Sequence, residues 1–183
     1  MLGGAGSDGT SSGNRGSVAI TAQRDVERSV VYAVEDQWGQ VLDRGGDLDF
    51  FGSSLQLPRQ QVFPNLVGIQ RYVDGLLAKC AMDGAAPGPV QVRHRRGATR
   101  AHYESSPSPS IAIPIGAGWA CREVVVLHEL AHHLRATEAA GCMHHDAGFR
   151  RHLVVLAGYA LGTEAAFILR AGYQGAGLKV APL

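Results

Sequence analysis

The chain has 183 residues, of which 45% are hydrophobic and 18% charged, and its 17 basic side chains nearly balance its 16 acidic ones. This length favours one globular domain, and a formal charge of +1 excludes a strongly basic nucleic-acid binder or an acidic solvating chain on bulk charge. The three cysteines, Cys80, Cys121 and Cys142, form no CxxC pair, which excludes a disulfide framework. No apolar run is long enough to span a bilayer, so we expect a cytoplasmic monomer without membrane contact.

The beginning of the chain is rich in glycine and serine. Residues 1–20 offer almost nothing to bury, so the entropy lost on ordering them would not be offset. We therefore predict a disordered tail over residues 1–20 and one α+β domain over residues 21–183.

Two helices are predicted in the first half of this domain. Over residues 21–42 apolar side chains recur every four positions, which predicts a helix that ends at Gly45 and Gly46. A turn-rich segment over residues 47–58 predicts one strand, and a second helix is expected to begin at Pro64. The buried face of the first helix should carry Val26, Val30, Val34, Trp38 and Leu42.

The centre of the chain predicts strands, and its last third predicts helices. Residues 90–95 and 98–104 flank the turn residue Gly97, which predicts a β-hairpin. A further strand over residues 111–115 contains Pro114, which cannot donate to a ladder, so the strand should lie at an edge or end there. Three helices should follow, and they begin near Trp119, at the N-cap Asp146 and after Gly162.

Six of the eight histidines lie within 25 residues, and the first two belong to an HExxH motif. Four residues advance a helix by about 400°, so His128 and His132 lie on the same face, one turn apart, where they can share a zinc ion. Glu129 lies about 100° around the helix from His128 and is within reach of a water on the metal. This position predicts that Glu129 acts as a general base.

A catalytic zinc needs a third protein ligand. Glu138 is a candidate if the helix ends early. His144 and His145 precede the predicted N-cap Asp146, and either side chain can turn back toward the metal. Asp146 adds a carboxylate beside them and is a weaker candidate. Two further histidines are interpreted as surface or hydrogen-bonding residues: His133 and His152.

These motifs resemble those of a known family. The run HELAHHL and the later HDxxF element are similar to the small actinobacterial metallohydrolases and, more loosely, to SprT-like metalloproteases, over about residues 24–180. In the SprT-like pattern His-Gly-x-x-Phe, the histidine is the third zinc ligand, so the resemblance implies that His145 has this role. Asp146 stands where the pattern has glycine, and no Cys-rich zinc ribbon follows.

The resemblance also implies a zincin-like fold of the minigluzincin or SprT-like kind. In this fold a small twisted sheet packs on the HExxH helix, and an edge strand aligns an extended peptide. We expect this edge strand to contain Ile111, Ala112 and Ile113.

The predicted function is that of a zinc-dependent hydrolase, and specifically a metallopeptidase. One Zn²⁺ per chain would be held by His128, His132 and His145, and Glu129 would take the proton of a zinc-bound water as it attacks a peptide carbonyl. The substrate would be a peptide or protein. Three side chains are candidates for stabilising the oxyanion: His102, Tyr103 and Tyr159.

A second interpretation rests on four arginines within eight residues that contain no acid. Arg93, Arg95, Arg96 and Arg100 predict either a weak nucleic-acid contact or a solvated hairpin tip. With a structural zinc, the protein would then be a non-enzymatic nucleic-acid-binding or regulatory module. Glu129 favours the hydrolase, because a structural zinc site does not require a carboxylate placed for water activation.

Overall fold

The computed structural model describes residues 25, 27–85, 87–97, 99–138 and 145–182. The predicted tail over residues 1–20 lies outside the described residues, as do His144 and Cys142. The described chain forms a mixed α+β structure with five α-helices and two small sheets. The elements are α1 (Arg28–Arg44), β1 (Gly46–Phe50), β2 (Ser53–Leu57), α2 (Leu66–Met82), β3 (Gln91–His94), β4 (His102–Glu104), β5 (Ser110–Ile113), α3 (Glu123–Glu138), α4 (Ala147–Leu161) and α5 (Thr163–Gly175).

Helix α1 buries a face that is rotated from the predicted one. Val34, Trp38 and Leu42 are buried as expected, but Val30 is 38% exposed and Val31 is fully buried in its place. The prediction for Val30 was wrong because a step of four residues overshoots a full turn by about 40°, and the error accumulates from Trp38. The helix ends at Gly45 as predicted. Its φ of +60° and the Arg59 backbone, 3.0 Å from where a Cβ would lie, explain the glycine.

The segment after α1 forms two strands where one was predicted. β1 and β2 pair antiparallel as a hairpin, with the tight turn at Phe51 and Gly52, both at positive φ. The turn is held by a hydrogen bond from the Gly52 amide to Asp49 Oδ1 at 3.1 Å.

The second sheet differs from the prediction in its strand order, which is β3-β5-β4. The predicted hairpin is wrong because β5 lies between β3 and β4, parallel to the first and antiparallel to the second. Ile111, Ala112 and Ile113 therefore lie on the central strand, and their assignment to an edge was also wrong. All residues of β5 are buried, and strands on both sides use its backbone groups. Pro114 follows directly after β5, so the alternative that the strand ends there is confirmed.

Helix α3 is the central helix of the fold. It begins at Glu123, after a short 3₁₀ turn over Gly118–Cys121, and packs against α4, α2 and strand β4. Apolar side chains on more than one of its faces are buried, among them Val126, Leu127 and Ala131. Because α3 is enclosed, its polar side chains are also removed from solvent. In the part of the chain that the structure describes, no helix is both long and apolar enough to cross a membrane.

Candidate metal centre

Three histidine side chains converge in the interior beside α3. His128 and His132 come from α3, and His145 comes from the segment just before α4. All three are buried, and they offer ligand atoms that lie within 4.8 Å of one another. The Nε2 atoms of His128 and His145 are 3.3 Å apart. The structure thus brings together the three predicted ligands in an arrangement that can hold a metal ion.

The start of α4 fixes the place of His145. Asp146 is the N-cap, as predicted, and its carboxylate accepts from the Phe149 amide at 2.9 Å. The same carboxylate binds Arg135 of α3 through two nitrogens, at 3.0 and 2.7 Å. The Phe149 ring packs against all three imidazoles, with centroid distances of 4.5 to 5.0 Å. Asp146 is therefore a structural residue, and Phe149 closes the inner side of the cluster.

A carboxylate from α1 orients His128. Glu35 Oε2 lies 2.6 Å from His128 Nδ1, and the Tyr173 hydroxyl donates to Glu35 Oε1 at 2.7 Å. Burial is the largest single influence on the pKa of His128 and would lower it, but the charge of Glu35, its hydrogen bond to the ring and the charge of Glu129 together outweigh burial, so the pKa is raised. A carboxylate behind a histidine holds the ring with Nε2 toward the metal and makes it a better ligand.

His145 has the same support from another part of the chain. Asp25 Oδ2 lies 2.6 Å from His145 Nδ1 and 3.2 Å from its backbone nitrogen. The guanidinium of Arg150 donates to the His145 carbonyl at 2.5 Å, to the Lys179 carbonyl and to the Glu27 carboxylate. Arg150 is fully buried, so these contacts fix both the ring and the backbone of His145.

The chemistry of this donor set fits a metal cation. When Nδ1 of His128 and His145 each donates to its carboxylate, the two Nε2 atoms present lone pairs to each other at 3.3 Å, and a cation relieves their repulsion. Burial, and then the charges of His128 and His145, holds the pKa of His132 well below its usual value. Imidazole binds a metal ion in its neutral form, so the lowered pKa keeps His132 available as a ligand.

Glu129 lies beside the imidazoles, buried in the same cavity wall. Burial raises its pKa, while His128 and a backbone hydrogen bond at Tyr103 oppose the increase. A carboxylate whose pKa is raised toward neutral is suited to taking up and releasing a proton. The residue predicted as general base therefore lines the cavity next to the three imidazoles.

The cluster opens into a cavity of about 1220 Å³ between α1, α3 and the segment leading into β4. Tyr32 of α1 lines it and stacks on His128, with ring centroids 5.3 Å apart and planes inclined by 21°. His102 and Tyr103, two of the predicted oxyanion candidates, also line it. The third, Tyr159, was a wrong choice, because its hydroxyl donates to Asp83 and it lines a separate cavity of about 400 Å³.

Other candidates from the sequence lie outside the histidine cluster. Glu138 pairs with Arg151 and with His152, at 2.9 Å from the latter, so the prediction of a possible ligand there was wrong. The hydrogen-bonding interpretation of His152 is confirmed. His133 is buried rather than exposed, with Nε2 2.8 Å from the Gly88 carbonyl and Nδ1 3.3 Å from the Tyr103 hydroxyl.

The four clustered arginines have different surroundings. Arg95 and Arg100 line the cavity, whereas Arg93 pairs with Glu104 at 2.6 Å and Arg96 is exposed outside the cavity lining. Their surroundings differ because Arg93 lies on β3, whereas Arg95, Arg96 and Arg100 lie between β3 and β4.

Several supporting residues escaped the sequence analysis. Glu35 had a usable signal, because it lies four residues after Val31 and three before Trp38, on the buried face of α1. Asp25 and Tyr173 are 120 and 138 residues from their partners in sequence, and no local pattern could have joined them.

Comparisons of the chain with protein-family models, with curated proteins and with solved structures find no match.

Proposed function

We propose that this protein is a zinc-dependent hydrolase with a zincin-like fold, and specifically a metallopeptidase. One observation carries the proposal: three buried imidazoles converge, two of them backed by carboxylates, with the carboxylate of Glu129 beside them. A structural zinc site is usually closed by a fourth protein ligand, and only these three groups form such a cluster among the described residues.

The three histidines would hold the metal. A zinc ion bound by neutral imidazoles lowers the pKa of a coordinated water to about 7 and polarises a substrate carbonyl. The carboxylates of Glu35 and Asp25 keep the Nδ1 atoms occupied, so His128 and His145 present Nε2.

Glu129 would accept a proton from the attacking water and pass it to the leaving amine. Its raised pKa supports this cycle, because the group must hold a proton for part of the reaction and lose it for the rest. Tyr32 and Tyr103 line the same cavity, so either hydroxyl is a candidate donor to the developing oxyanion.

An extended peptide would lie along β4. This strand is at an edge of its sheet, and its residues His102 and Tyr103 line the cavity. The strand packs against α3, the helix that carries Glu129, and Glu129 lines the same cavity. Strand addition at this edge would bring a peptide bond next to Glu129.

Metal analysis combined with a peptide-library cleavage assay tests the proposal. The wild-type protein should bind one zinc per chain and cleave members of the library. Glu129→Gln should keep the zinc and lose at least about 100-fold in cleavage rate, because an amide cannot accept the proton. Glu138→Gln, on the same helix but away from the cluster, is the matched control. Full cleavage by Glu129→Gln would refute the general-base role of Glu129, and no cleavage by the zinc-loaded wild type would refute the metallopeptidase.

A zinc-stabilised nucleic-acid-binding or regulatory module remains the alternative function. Arg93 pairs with Glu104, so one of the four arginines on which this alternative rests is already neutralised. The two functions differ in the effect of Glu129→Gln, which should not change nucleic-acid binding by a module whose metal is structural.

A further inference from the structure

The cavity beside the histidine cluster carries arginines that have no acidic partner. Arg28, Arg95 and Arg100 line it, and none of them lies within ion-pair distance of a carboxylate among the described residues. By contrast, Arg122 on the same lining pairs with Asp43 at 2.7 Å. Outside the lining, Arg93 is neutralised by Glu104.

The acids of the cavity are already engaged, with one exception. Asp25 binds His145, Glu35 binds His128 and Tyr173, and Glu129 is buried next to the cluster. The exception is Asp36, an exposed residue of α1. Guanidinium groups stay charged at any accessible pH, so the three arginines place positive charge on this wall with no carboxylate of the described residues in direct contact with them.

Two of these arginines lie where the proposed peptide would pass. Arg100 is two residues before β4, and Arg95 Nη1 donates to the Arg100 carbonyl at 2.7 Å and lies 2.5 Å from His102 Nδ1. These contacts hold Arg95 in one orientation at the start of the edge strand. A fixed guanidinium binds a carboxylate with less loss of entropy than a mobile one.

We propose that the cavity selects acidic peptides, with a Glu or Asp side chain near the reacting bond bound by Arg95 and Arg100 and with Arg28 on the facing helix adding to the attraction. This inference rests on the proposed metallopeptidase function and names its substrate class. A peptide is favoured over a nucleic acid because the arginines without partners line a concave cavity. A nucleic-acid backbone would instead use the outward arginines, of which Arg93 is neutralised.

Peptide binding to the zinc-loaded Glu129→Gln protein tests the inference without cleavage. Two fluorescent octapeptides would be compared by anisotropy at about 0.1 M salt, identical except for two central Glu residues replaced by Gln. We expect the Glu peptide to bind roughly tenfold more tightly, as for a charge-assisted hydrogen bond. Adding Arg100→Gln should remove most of that preference, and adding Arg96→Gln, the same change on the same loop outside the cavity, should leave it intact.

Several outcomes would overturn the inference. The first is equal affinity of the protein for the two peptides. The second is an equal loss of the preference for the Glu peptide in the Arg96→Gln and Arg100→Gln variants. Tighter binding of single-stranded oligothymidine than of the Glu peptide, lost in both variants, would assign the arginines to nucleic acid instead. Thermal unfolding of each variant shows whether it is folded, and Arg100→Lys, which keeps the charge, should retain part of the preference if the fold is intact.

The inference and the function on which it rests fail in different ways. Cleavage of library peptides by the wild type without preference for acidic residues would refute the inference and leave the metallopeptidase standing. A clear preference in binding with no cleavage by the zinc-loaded wild type would refute the metallopeptidase and leave an acidic-peptide binding site.

Discussion

Replacing Glu35 by Gln tests how far the metal centre depends on the residue behind His128. The change keeps the size of the side chain, and the amide oxygen can still accept from His128 Nδ1. The amide nitrogen then faces Tyr173, whose hydroxyl can rotate from donating to accepting. The fold should therefore survive, while the negative charge 2.6 Å from the imidazole is lost.

The loss should appear as weaker zinc binding. Removing a carboxylate that supports a metal-bound histidine costs about 10- to 100-fold in metal affinity, or roughly 1.4 to 2.7 kcal/mol. The buried position of Glu35 places the expected effect within this range rather than below it, because solvent does not screen the pair. The partner variant Tyr173→Phe should cost less, since it removes one neutral donor and leaves the charge.

The two variants should be coupled. In Glu35→Gln/Tyr173→Phe the amide nitrogen faces a phenyl ring and has no acceptor, so the double variant should lose more affinity than the sum of the singles. Competition with a chromogenic zinc chelator measures each affinity, and urea unfolding of the metal-free proteins gives the stability separately. Asp36→Asn removes a charge from the next residue, which is exposed, and is the control. A zinc affinity for Glu35→Gln within about threefold of the wild type and of Asp36→Asn would refute the reasoning.

Three further predictions concern the surroundings of the metal. His145→Ala should abolish stoichiometric zinc binding in native mass spectrometry, because only two imidazoles remain to hold the ion. A variant that retained one zinc per chain would show that another residue completes the site. Arg150→Met should lower the free energy of unfolding by about 2–4 kcal/mol, since the buried His145 carbonyl and the partly buried Lys179 carbonyl lose their donor; an unchanged urea midpoint would contradict this. The metal-free protein should lose stability as the pH falls below about 6.5, the unperturbed value for histidine. Burial lowers the pKa of His132, His133, His145 and His152, so the unfolded chain takes up protons first. Each such group contributes up to about 1.4 kcal/mol per pH unit. His128, whose pKa is raised, acts in the opposite direction, because its stabilisation is present below pH 6.5 and is lost as the pH rises. Urea unfolding with a chelator at pH 7.5 and 5.5 checks the net sign, and greater stability at pH 5.5 would show that the His128–Glu35 pair outweighs the other four.

Local patterns were sufficient for the helices and for the HExxH part of the histidine cluster. The spacing of His128 and His132 depends only on the pitch of one helix, and Asp146 followed by an apolar helix is a local capping signal, so both were predicted correctly. The end of α1 at Gly45 was readable for the same reason.

The order of strands in the sheet and the contacts that support the imidazoles could not be predicted from local patterns, because they join segments that are distant in sequence. β5 inserts between β3 and β4, which precede it one after the other in the sequence, and this excludes both the predicted hairpin and the edge position of Ile111. Strand pairing depends on which apolar surfaces meet in three dimensions, and a buried central strand has the same composition as other short apolar segments.

The sequence by itself determined that one helix presents two histidines and a glutamate on adjacent faces, with a further histidine before the next helix cap. Only the tertiary structure decided that these side chains meet inside the protein, because α1, α4 and α5 must pack around α3 before Glu35, Asp25 and Tyr173 can reach the imidazoles. It also divided the arginines between a cavity wall and an outer surface. Helix geometry is encoded within a few residues. The burial of a side chain, its contacts with supporting residues and the charge around it depend on how the whole chain packs.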